Sequence, residues 1–436
     1  MIQLPRLLCS LLLAKLVASA PASSSFTTTV EQRPSSTFSG IDATATVPFA
    51  STDPNQALWG PNSDVSAPAP ERNGLGASIV GPSNPELELE NADLLAPPTT
   101  DSGTVMNAKW PFTLSHNRLQ TGGWARQQNV DQMPIATSMA GVDMRLEAGA
   151  IRELHWHKTS EWAYVLKGTT QVTAVDANGR NFVGNAGPGD LWFFPAGVPH
   201  SLQATADDPD GSEFLLASIY SHGTFLLTDW LAHVPFEVIL KNFQATDPEA
   251  FSHIPAQQLY IFPSVPPTSD TPPEDPQGQV PQSFVFPLSQ MNATQLAGGS
   301  IRMADSTVFP VSTTISVAEV TVNPGGMSTT VQWHPTMDEW SFFLQVPFLT
   351  EGEGRMTIFA AESNAATFDY QAGDIGFVPA TMGHYVENTG NTTLRYLEIF
   401  NGDRWLALTP PELVKAHLNL DDETIAKLPK TKPIVV

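Results

Sequence analysis

The chain has 436 residues, and 21 Lys and Arg against 44 Asp and Glu give it a formal net charge of −23 at pH 7. Binding to nucleic acid or to anionic lipid needs clustered basic residues, so this composition argues against both kinds of partner. An anionic substrate must be attracted by a local positive centre, because the overall field repels it. The 38 Pro and 30 Gly favour short strands and turns over long helices.

Residues 1–20 have the pattern of a secretory signal peptide. Arg6 precedes an apolar run that closes on small residues at Ala20. The run is too short to span a membrane, and Lys15 interrupts it. The sole cysteine, Cys9, lies in this segment, so we expect no disulfide and no thiol ligand in the mature chain. The segment predicts a secreted, extracellular protein.

Two Asn-x-Thr sequons, at Asn292 and Asn391, fit a secretory route and predict a glycoprotein. Each tripeptide also arises by chance, so the signal peptide carries most of this prediction. No other stretch has the length and hydropathy of a membrane span, and we expect no membrane partner.

The rest of the chain divides into an arm and a duplicated domain. Ser, Thr, Pro and Ala dominate the start of the arm, which predicts a disordered or extended segment. Short apolar runs separated by Gly, Asp, Asn and Pro then predict the strands of a sandwich or barrel. The predicted boundaries are 1–20 (signal peptide), 21–105 (arm), 106–250 (first domain), 251–283 (Pro-rich connector) and 284–436 (second domain).

The duplication is visible in repeated segments, of which two pairs are the longest. GDLWFFPAGVPH (189–200) realigns on GDIGFVPATMGH (373–384), and WLAHVPFEV (230–238) realigns on WLALTPPEL (405–413). Each WLA segment opens a short pattern with helical spacing. Two copies of one domain, each followed by a short helix, explain both matches.

The first copy carries a constellation typical of a metal site. Strand alternation places His155 and His157 on one face, Glu161 lies near the start of the next strand, and His200 follows. A lone histidine is usually a core residue with a partner, but three imidazoles and a carboxylate at this spacing favour a metal. The mixed N/O set suits Mn(II), Fe(II) or Ni(II).

These residues belong to two longer motifs. G-x5-H-x-H-x3-E-x6-G runs from Gly149 to Gly168, and G-x5-P-x-G-x2-H runs from Gly189 to His200. Together they resemble the signature of the cupin superfamily. The duplication, with SHNRLQTGGWAR and MRLEAGAIRELHWHK, is similar to the secreted fungal bicupin oxalate decarboxylases. The resemblance implies an all-β fold with two jelly-roll (double-stranded β-helix) barrels, short peripheral helices and an irregular N-terminal arm.

The resemblance also implies Mn(II), with Fe(II) as the alternative ion, O2 as cosubstrate or cofactor, and a homo-trimer or hexamer. The implied reaction converts oxalate to formate and CO2. Three neutral histidines and Glu161 on a divalent ion leave a net charge of +1, and Arg152 is implied to face the substrate. Together they can neutralise an oxalate dianion. Strict alternation, however, places Arg152 opposite His155 unless the strand bulges.

The first departure from the family lies between the last ligand strand and LLTDW. The resemblance implies a loop there whose glutamate delivers a proton to the carbon freed by CO2 loss. This chain is shorter in that region and has no acid between Phe214 and Thr228. Ser221 or His222 occupies the place, and His222 is the candidate proton donor. Without a donor, the alternative is an oxalate oxidase, which releases CO2 and peroxide, or another cupin oxygenase acting on a small acid.

The second departure is a degraded second motif. Gln332 stands where the first histidine is expected, followed by His334, Glu339 and His384, and Glu398 matches a second proton-delivering glutamate of the family. An amide oxygen is a weak, neutral ligand, so we predict weak or absent metal here, although two histidines and a carboxylate resemble a facial triad. A non-catalytic metal-binding or storage bicupin is the alternative from a different class.

Overall fold

A computed structural model describes residues 71–72, 75–77, 80, 87–88, 91–95, 98, 101–219, 224–327, 331–344, 352–408, 420–421 and 423–424. The predicted signal peptide, the start of the arm, Ser221 and His222, and most of the predicted C-terminal helical segment lie outside these residues. Among the described residues, no helix is both long enough and apolar enough to cross a bilayer.

Antiparallel strands make up nearly all of the regular structure. The N-terminal part contains β1 (Glu71–Arg72), β2 (Leu75–Gly76), helix α1 (Ala92–Leu95) and β3 (Lys109–Pro111). The first barrel contains β4 (Arg118–Gln120), β5 (Gly123–Gln128), β6 (Met139–Leu146), β7 (Ile151–His157), β8 (Glu161–Lys167), β9 (Thr170–Val175), β10 (Asn181–Ala186), β11 (Leu191–Phe194), β12 (His200–Ala204), β13 (Ser212–Ile219), β14 (Thr224–Leu226), α2 (Leu227–His233), α3 (Phe236–Asn242) and β15 (Ile261–Phe262).

The second barrel repeats this plan, and the described residues after it include only two helical positions, Glu423 and Thr424. Its strands are β16 (Val285–Phe286), β17 (Thr294–Leu296), β18 (Gly299–Ala304), β19 (Ser316–Val322), β20 (Glu339–Phe343), β21 (Gly354–Phe359), β22 (Ala365–Tyr370), β23 (Asp374–Val378), β24 (Gly383–Asn388) and β25 (Leu394–Phe400). Single 3-10 turns cover Phe112–Leu114, Pro248–Phe251 and Leu288–Gln290.

The first barrel is built from two sheets. One has the order β16-β11-β8-β13-β6-β5-β4, and the other β10-β9-β12-β7-β14, with β15 also paired to β7. Trp192, Phe214 and Leu202, which are fully buried, pack into one core drawn from both sheets. The turn from β8 to β9 requires Gly168, whose φ is +63° and whose missing Cβ would meet the Gly211 carbonyl at 2.1 Å.

The second barrel has sheets β17-β18-β19-β25-β20-β23-β3 and β22-β21-β24. Its core is rich in aromatic rings, and Phe343 stacks on both Tyr370 (4.5 Å between ring centroids) and Tyr396 (5.3 Å). The predicted all-β fold with two barrels is confirmed.

The two barrels exchange short strands. β3 pairs with β23 of the second barrel (Trp110 opposite Ile375), and β16 pairs with β11 of the first (Phe286 opposite Leu191). The domain boundaries predicted at 106 and 284 assign β3 to the first barrel and β16 to the second. In the structure, each of these strands pairs with a strand of the other barrel. Each exchanged strand covers a sheet edge that would otherwise expose unpaired backbone groups.

A polar contact from Tyr164 also joins the two barrels. The Tyr164 hydroxyl donates to Glu319 Oε2 (2.8 Å), while Arg302 Nη1 (2.6 Å) and Arg395 Nη2 (3.1 Å) contact Glu319 Oε1. Glu319 is only 3% exposed, so these three partners supply the hydrogen bonds that its charge would otherwise find in water.

Candidate metal centre

Four side chains from three strands of the first barrel converge. His155 and His157 lie on β7, Glu161 begins β8, and His200 begins β12 directly opposite His155. Glu161 Oε2 lies 3.9 Å from His155 Nε2, 3.3 Å from His157 Nε2 and 3.4 Å from His200 Nε2. The structure thus brings together all four ligands that the sequence predicts.

Hydrogen bonds to neighbouring groups determine which imidazole nitrogens and which carboxylate oxygen face the interior as acceptors. His155 Nδ1 lies 2.6 Å from the Glu153 carbonyl and His200 Nδ1 lies 2.9 Å from the Val198 carbonyl, so each Nδ1 carries the proton and each Nε2 a lone pair. The Trp192 indole donates to Glu161 Oε1 (3.2 Å), which leaves Oε2 to the imidazoles.

Hydrogen-bond acceptor atoms of the imidazoles and of Glu161 therefore face one another in a buried space. Buried His200 Nε2 has no hydrogen-bond partner among the described residues, because the Glu161 oxygen near it is itself an acceptor. Such an arrangement is unfavourable without a cation between the lone pairs, and carbonyl groups that hold Nδ1–H are typical of metal-ligating histidines. These residues fit a divalent metal ion.

The protonation states suit the same ion. Burial lowers the pKa of His155 well below its ordinary value and that of His157 to about 4. Burial opposes ionisation of Glu161, but the facing His200 and His157 imidazoles and the Trp192 indole outweigh it and lower the pKa to about 2. Neutral imidazoles and an ionised carboxylate are the forms that bind metal.

Arg152 joins this centre through a β-bulge. β7 pairs with β12 at His155–His200 and next at Arg152–Leu202, so three steps on β7 oppose two on β12. The extra residue reverses the alternation and brings Arg152, 4% exposed, to the wall of the cavity that His155 also lines. Strict alternation therefore fails at this position. Burial also lowers the pKa of Arg152.

The cavity measures about 430 Å³, and sequence reasoning missed part of its wall. Tyr260 lies in the segment predicted to be a Pro-rich connector, yet its ring lies 4.1 Å below the Arg152 guanidinium carbon. Arg118 and Gln258 line the same cavity. The apolar run Leu259–Phe262 within the Pro-rich segment is the signal that could have indicated a strand here, and residues 261–262 do form β15 against β7.

The second barrel holds an incomplete counterpart. Glu339 Oε2 lies 3.2 Å from His334 Nε2 and 3.0 Å from His384 Nε2. Gln332 occupies the place of the third imidazole, and its Nε2 lies 3.5 Å from His384 Nε2. An amide N–H can donate to that lone pair, which a third imidazole ligand would not do.

Glu398, the predicted catalytic residue of the second barrel, does not join the first centre. Glu398 lies inside β25, is 2% exposed and accepts a hydrogen bond from the Tyr396 hydroxyl (3.0 Å). Burial and the nearby Glu339 carboxylate raise its pKa well above the ordinary range. Glu398 does not line the first cavity, and His222 lies outside the described residues.

Two antiparallel barrels with inward-facing histidines and a glutamate at matching positions define a bicupin. The chain belongs to the cupin family, whose model, described as Cupin, matches residues 114–250 and 287–426.

Its relatives include oxalate decarboxylases. Oxalate decarboxylase OxdC of Bacillus subtilis (strain 168) is 46% identical over 383 residues, 85% of this chain and 97% of that protein. A probable oxalate decarboxylase of Arthroderma benhamiae (strain ATCC MYA-4681 / CBS 112371) is 36% identical over 397 residues, 86% of this chain and 95% of that protein. A solved structure of the Bacillus subtilis enzyme, concerned with its Mn(II) centres, is 45% identical with a TM-score of 0.75, covering 85% of this chain and 99% of that chain.

Proposed function

We propose that this protein converts oxalate to formate and CO2 at a Mn(II) centre held by His155, His157, Glu161 and His200, with O2 as cosubstrate or cofactor. The observation that carries the proposal is the convergence of ligand atoms from these four residues, with the Arg152 guanidinium on the wall of the same cavity. Homology to oxalate decarboxylases over most of the chain supports the substrate. Fe(II) is the alternative ion for this donor set.

The charges favour a small dianion. A bound divalent ion would supply Lewis acidity and redox chemistry, and with the Glu161 carboxylate would leave a centre of charge +1. Arg152 adds a second positive charge, and its planar guanidinium can hold a carboxylate through two parallel hydrogen bonds. Oxalate would then be neutralised locally, although the chain carries a formal charge of −23 and repels anions at long range.

Neighbouring groups keep the centre in one arrangement. The Glu153 and Val198 carbonyls hold the tautomers and orientations of His155 and His200, and the Trp192 indole orients Glu161. Because these partners belong to strands and tight turns, the ligands need little reorganisation when the ion binds.

An oxidase outcome is the second candidate, and a sequence observation favours it. Formate forms only if a proton reaches the carbon freed by CO2 loss, and no acid lies between Phe214 and Thr228. We propose His222 as the donor, because an unperturbed imidazole titrates near pH 6.5. If protonation is slow, the same substrate yields CO2 and peroxide.

The deciding experiment measures three products together. Purified protein loaded with Mn(II) is given oxalate and O2 at mildly acidic pH, and formate, CO2 and peroxide are quantified. A decarboxylase gives one formate and one CO2 per oxalate, whereas an oxidase gives two CO2 and one peroxide while consuming O2. The His155→Ala variant serves as the control for metal-dependent turnover. No oxalate consumption by the metal-loaded wild type would overturn the proposal.

We also propose a secreted, fungal-type glycoprotein that assembles as a trimer or hexamer. The signal pattern in residues 1–20 supports export, and Asn292 and Asn391, both exposed, support glycosylation. N-terminal sequencing of protein from the culture medium tests the first point, and a mass shift on endoglycosidase treatment tests the second. Sedimentation equilibrium measures the assembly.

A further inference from the structure

A second cavity adjoins the metal cavity of the first barrel. It measures about 390 Å³ and shares part of its wall, including Arg118 and Tyr260, with the inner one. Ser218 and Thr224 line the inner cavity but not the outer one, so the two spaces extend along different parts of the barrel.

The outer cavity has an unusual charge for this chain. Arg118, Arg126 and His116 line it, and none of its described lining residues is a carboxylate, although the chain has 44 acidic residues against 21 basic ones. Arg126 is paired with Asp143 (2.8 Å). Arg118, by contrast, donates to the neutral amide of Gln258 (2.7 Å) and forms no ion pair among the described residues. Its positive charge is therefore available to an anion.

Tyr260 connects this exposed arginine with the buried one. The guanidinium carbon of Arg118 lies 3.6 Å from the Tyr260 ring centroid, and that of Arg152 lies 4.1 Å from it. One aromatic ring thus contacts both guanidinium groups, and the cation–π contacts hold them close together despite their repulsion.

The backbone of Tyr260 is held in a conformation that non-glycine residues rarely adopt. Its φ is +59°, and two hydrogen bonds to Glu153 maintain it: Glu153 N–H donates to the Tyr260 carbonyl (2.9 Å), and Tyr260 N–H donates to Glu153 Oε2 (2.9 Å). Strain of this kind persists where surrounding contacts enforce it, and it is common at ligand sites. Here it presents the ring to both arginines.

We propose that Arg118 and Tyr260 form an outer anion-binding site, which captures oxalate from solution before it reaches Arg152 and the metal centre. The identity of the anion rests on the proposed function, whereas the site itself rests on the charge and geometry of the outer cavity. Two guanidinium groups that share one ring provide successive positive partners for a small carboxylate. They also offset locally the negative field of the chain.

The kinetic test uses the metal-loaded full-length chain. Arg118→Gln should raise the KM for oxalate about tenfold and leave kcat within about twofold, because the residue binds substrate before the reacting complex forms. The fall of kcat/KM with increasing NaCl should also become shallower, since one attractive charge is lost. Lys241→Gln, at an exposed position on α3 outside both cavities, is the matched control for net charge and should match wild type.

A binding measurement separates this site from the proposed reaction. Calorimetric titration of sodium formate into the metal-loaded protein should give a Kd about fivefold weaker for Arg118→Gln than for wild type or Lys241→Gln. If no variant consumes oxalate but formate binding still distinguishes Arg118→Gln, the proposed function fails and the anion site stands. Equal KM, salt dependence and formate affinity in wild type and Arg118→Gln would overturn the site.

The charge-conserving variant excludes a merely structural role. Arg118→Lys should keep most of the salt dependence while losing part of the affinity, because lysine keeps the charge but not the planar stacking on Tyr260. If Arg118→Lys loses the salt dependence as completely as Arg118→Gln, the effect arises from a disturbed Tyr260 segment, and the proposal is wrong.

Discussion

Arg152 and His155 line the same cavity because β7 bulges between them. The residues opposite them on β12 are Leu202 and His200. These two are separated by two positions along β12, whereas Arg152 and His155 are separated by three positions along β7. The bulge places a buried guanidinium beside the candidate metal ligands and also turns Glu153 toward the backbone of Tyr260. One irregularity in one strand thus supplies the inner arginine and holds the ring that stacks on it.

The first prediction concerns the fork geometry of Arg152. Arg152→Lys keeps the charge but loses the two parallel hydrogen bonds to a carboxylate, so kcat/KM for oxalate should fall about ten- to a hundredfold. Metal content should not change, because Arg152 is not a ligand. Steady-state kinetics and elemental analysis of the same samples check both points. Arg145→Lys on β6, which lies in the other sheet and outside the cavity, is the matched control, and wild-type kinetics in Arg152→Lys would assign Arg152 to structure alone.

The second prediction concerns metal stoichiometry. The wild type should hold about one Mn(II) per chain, because among the described residues only the first barrel offers three imidazoles and a carboxylate. His155→Ala should remove the tightly held ion, whereas His334→Ala should leave the total nearly unchanged. Inductively coupled plasma mass spectrometry after dialysis gives the numbers.

A variant that completes the second site tests the same prediction of metal stoichiometry. Gln332→His restores a third imidazole in the second barrel and should raise the metal content toward two ions per chain. Two tightly held ions in the unmodified protein would show that Gln332 does not disable the second site.

The third prediction concerns the products. Because no acid lies between Phe214 and Thr228, the products should contain less formate, and more peroxide and CO2, than those of a decarboxylase with a glutamate in this loop. A difference of about 1.4 kcal/mol in the barrier to protonation changes this ratio tenfold. Ser221→Glu should raise the formate fraction.

His222 has its own test within this scheme. His222→Ala should abolish formate selectively, and the formate yield of the wild type should fall as the pH rises through the pKa of the donor. Undiminished, near-quantitative formate from His222→Ala would mean that the proton comes from another group.

The fourth prediction concerns stability at different pH. Burial, together with the negative charge of Glu213, raises the pKa of Asp143 from 3.8 to about 7 in spite of its pairing with Arg126. The folded state therefore keeps a proton that the unfolded state releases near pH 4. The stabilising contribution of this group is complete below about pH 4 and is lost as the pH rises through 7.

Asparagine mimics the protonated form, so Asp143→Asn should be more stable than the wild type at pH 8, by at most about 4 kcal/mol. The difference should shrink at pH 5. Urea unfolding at both pH values measures it, and Asp131→Asn at an exposed position should show no such trend. A variant that loses stability at pH 8 would mean that the ion pair with Arg126 outweighs the cost of burying the charge.

The sequence by itself determined the type of fold and the candidate ligands of the first barrel. Strand alternation and a glycine-bounded turn are local properties, so the spacing of His155, His157 and Glu161 predicts that they converge. The internal duplication predicted a second copy of the metal motif. The sequence alone also shows that Gln332 replaces the first histidine of that copy.

Only the tertiary structure decided which residues complete the site and the barrels. The bulge at Arg152 depends on the register between β7 and β12, and the position of Tyr260 depends on the pairing between β15 and β7. Strand β3 pairs with the second barrel, and strand β16 pairs with the first. Each of these is a pairing between segments distant along the chain. Local sequence patterns set which residues prefer a strand, but the choice of partner and register arises from the free energy of the whole packed core.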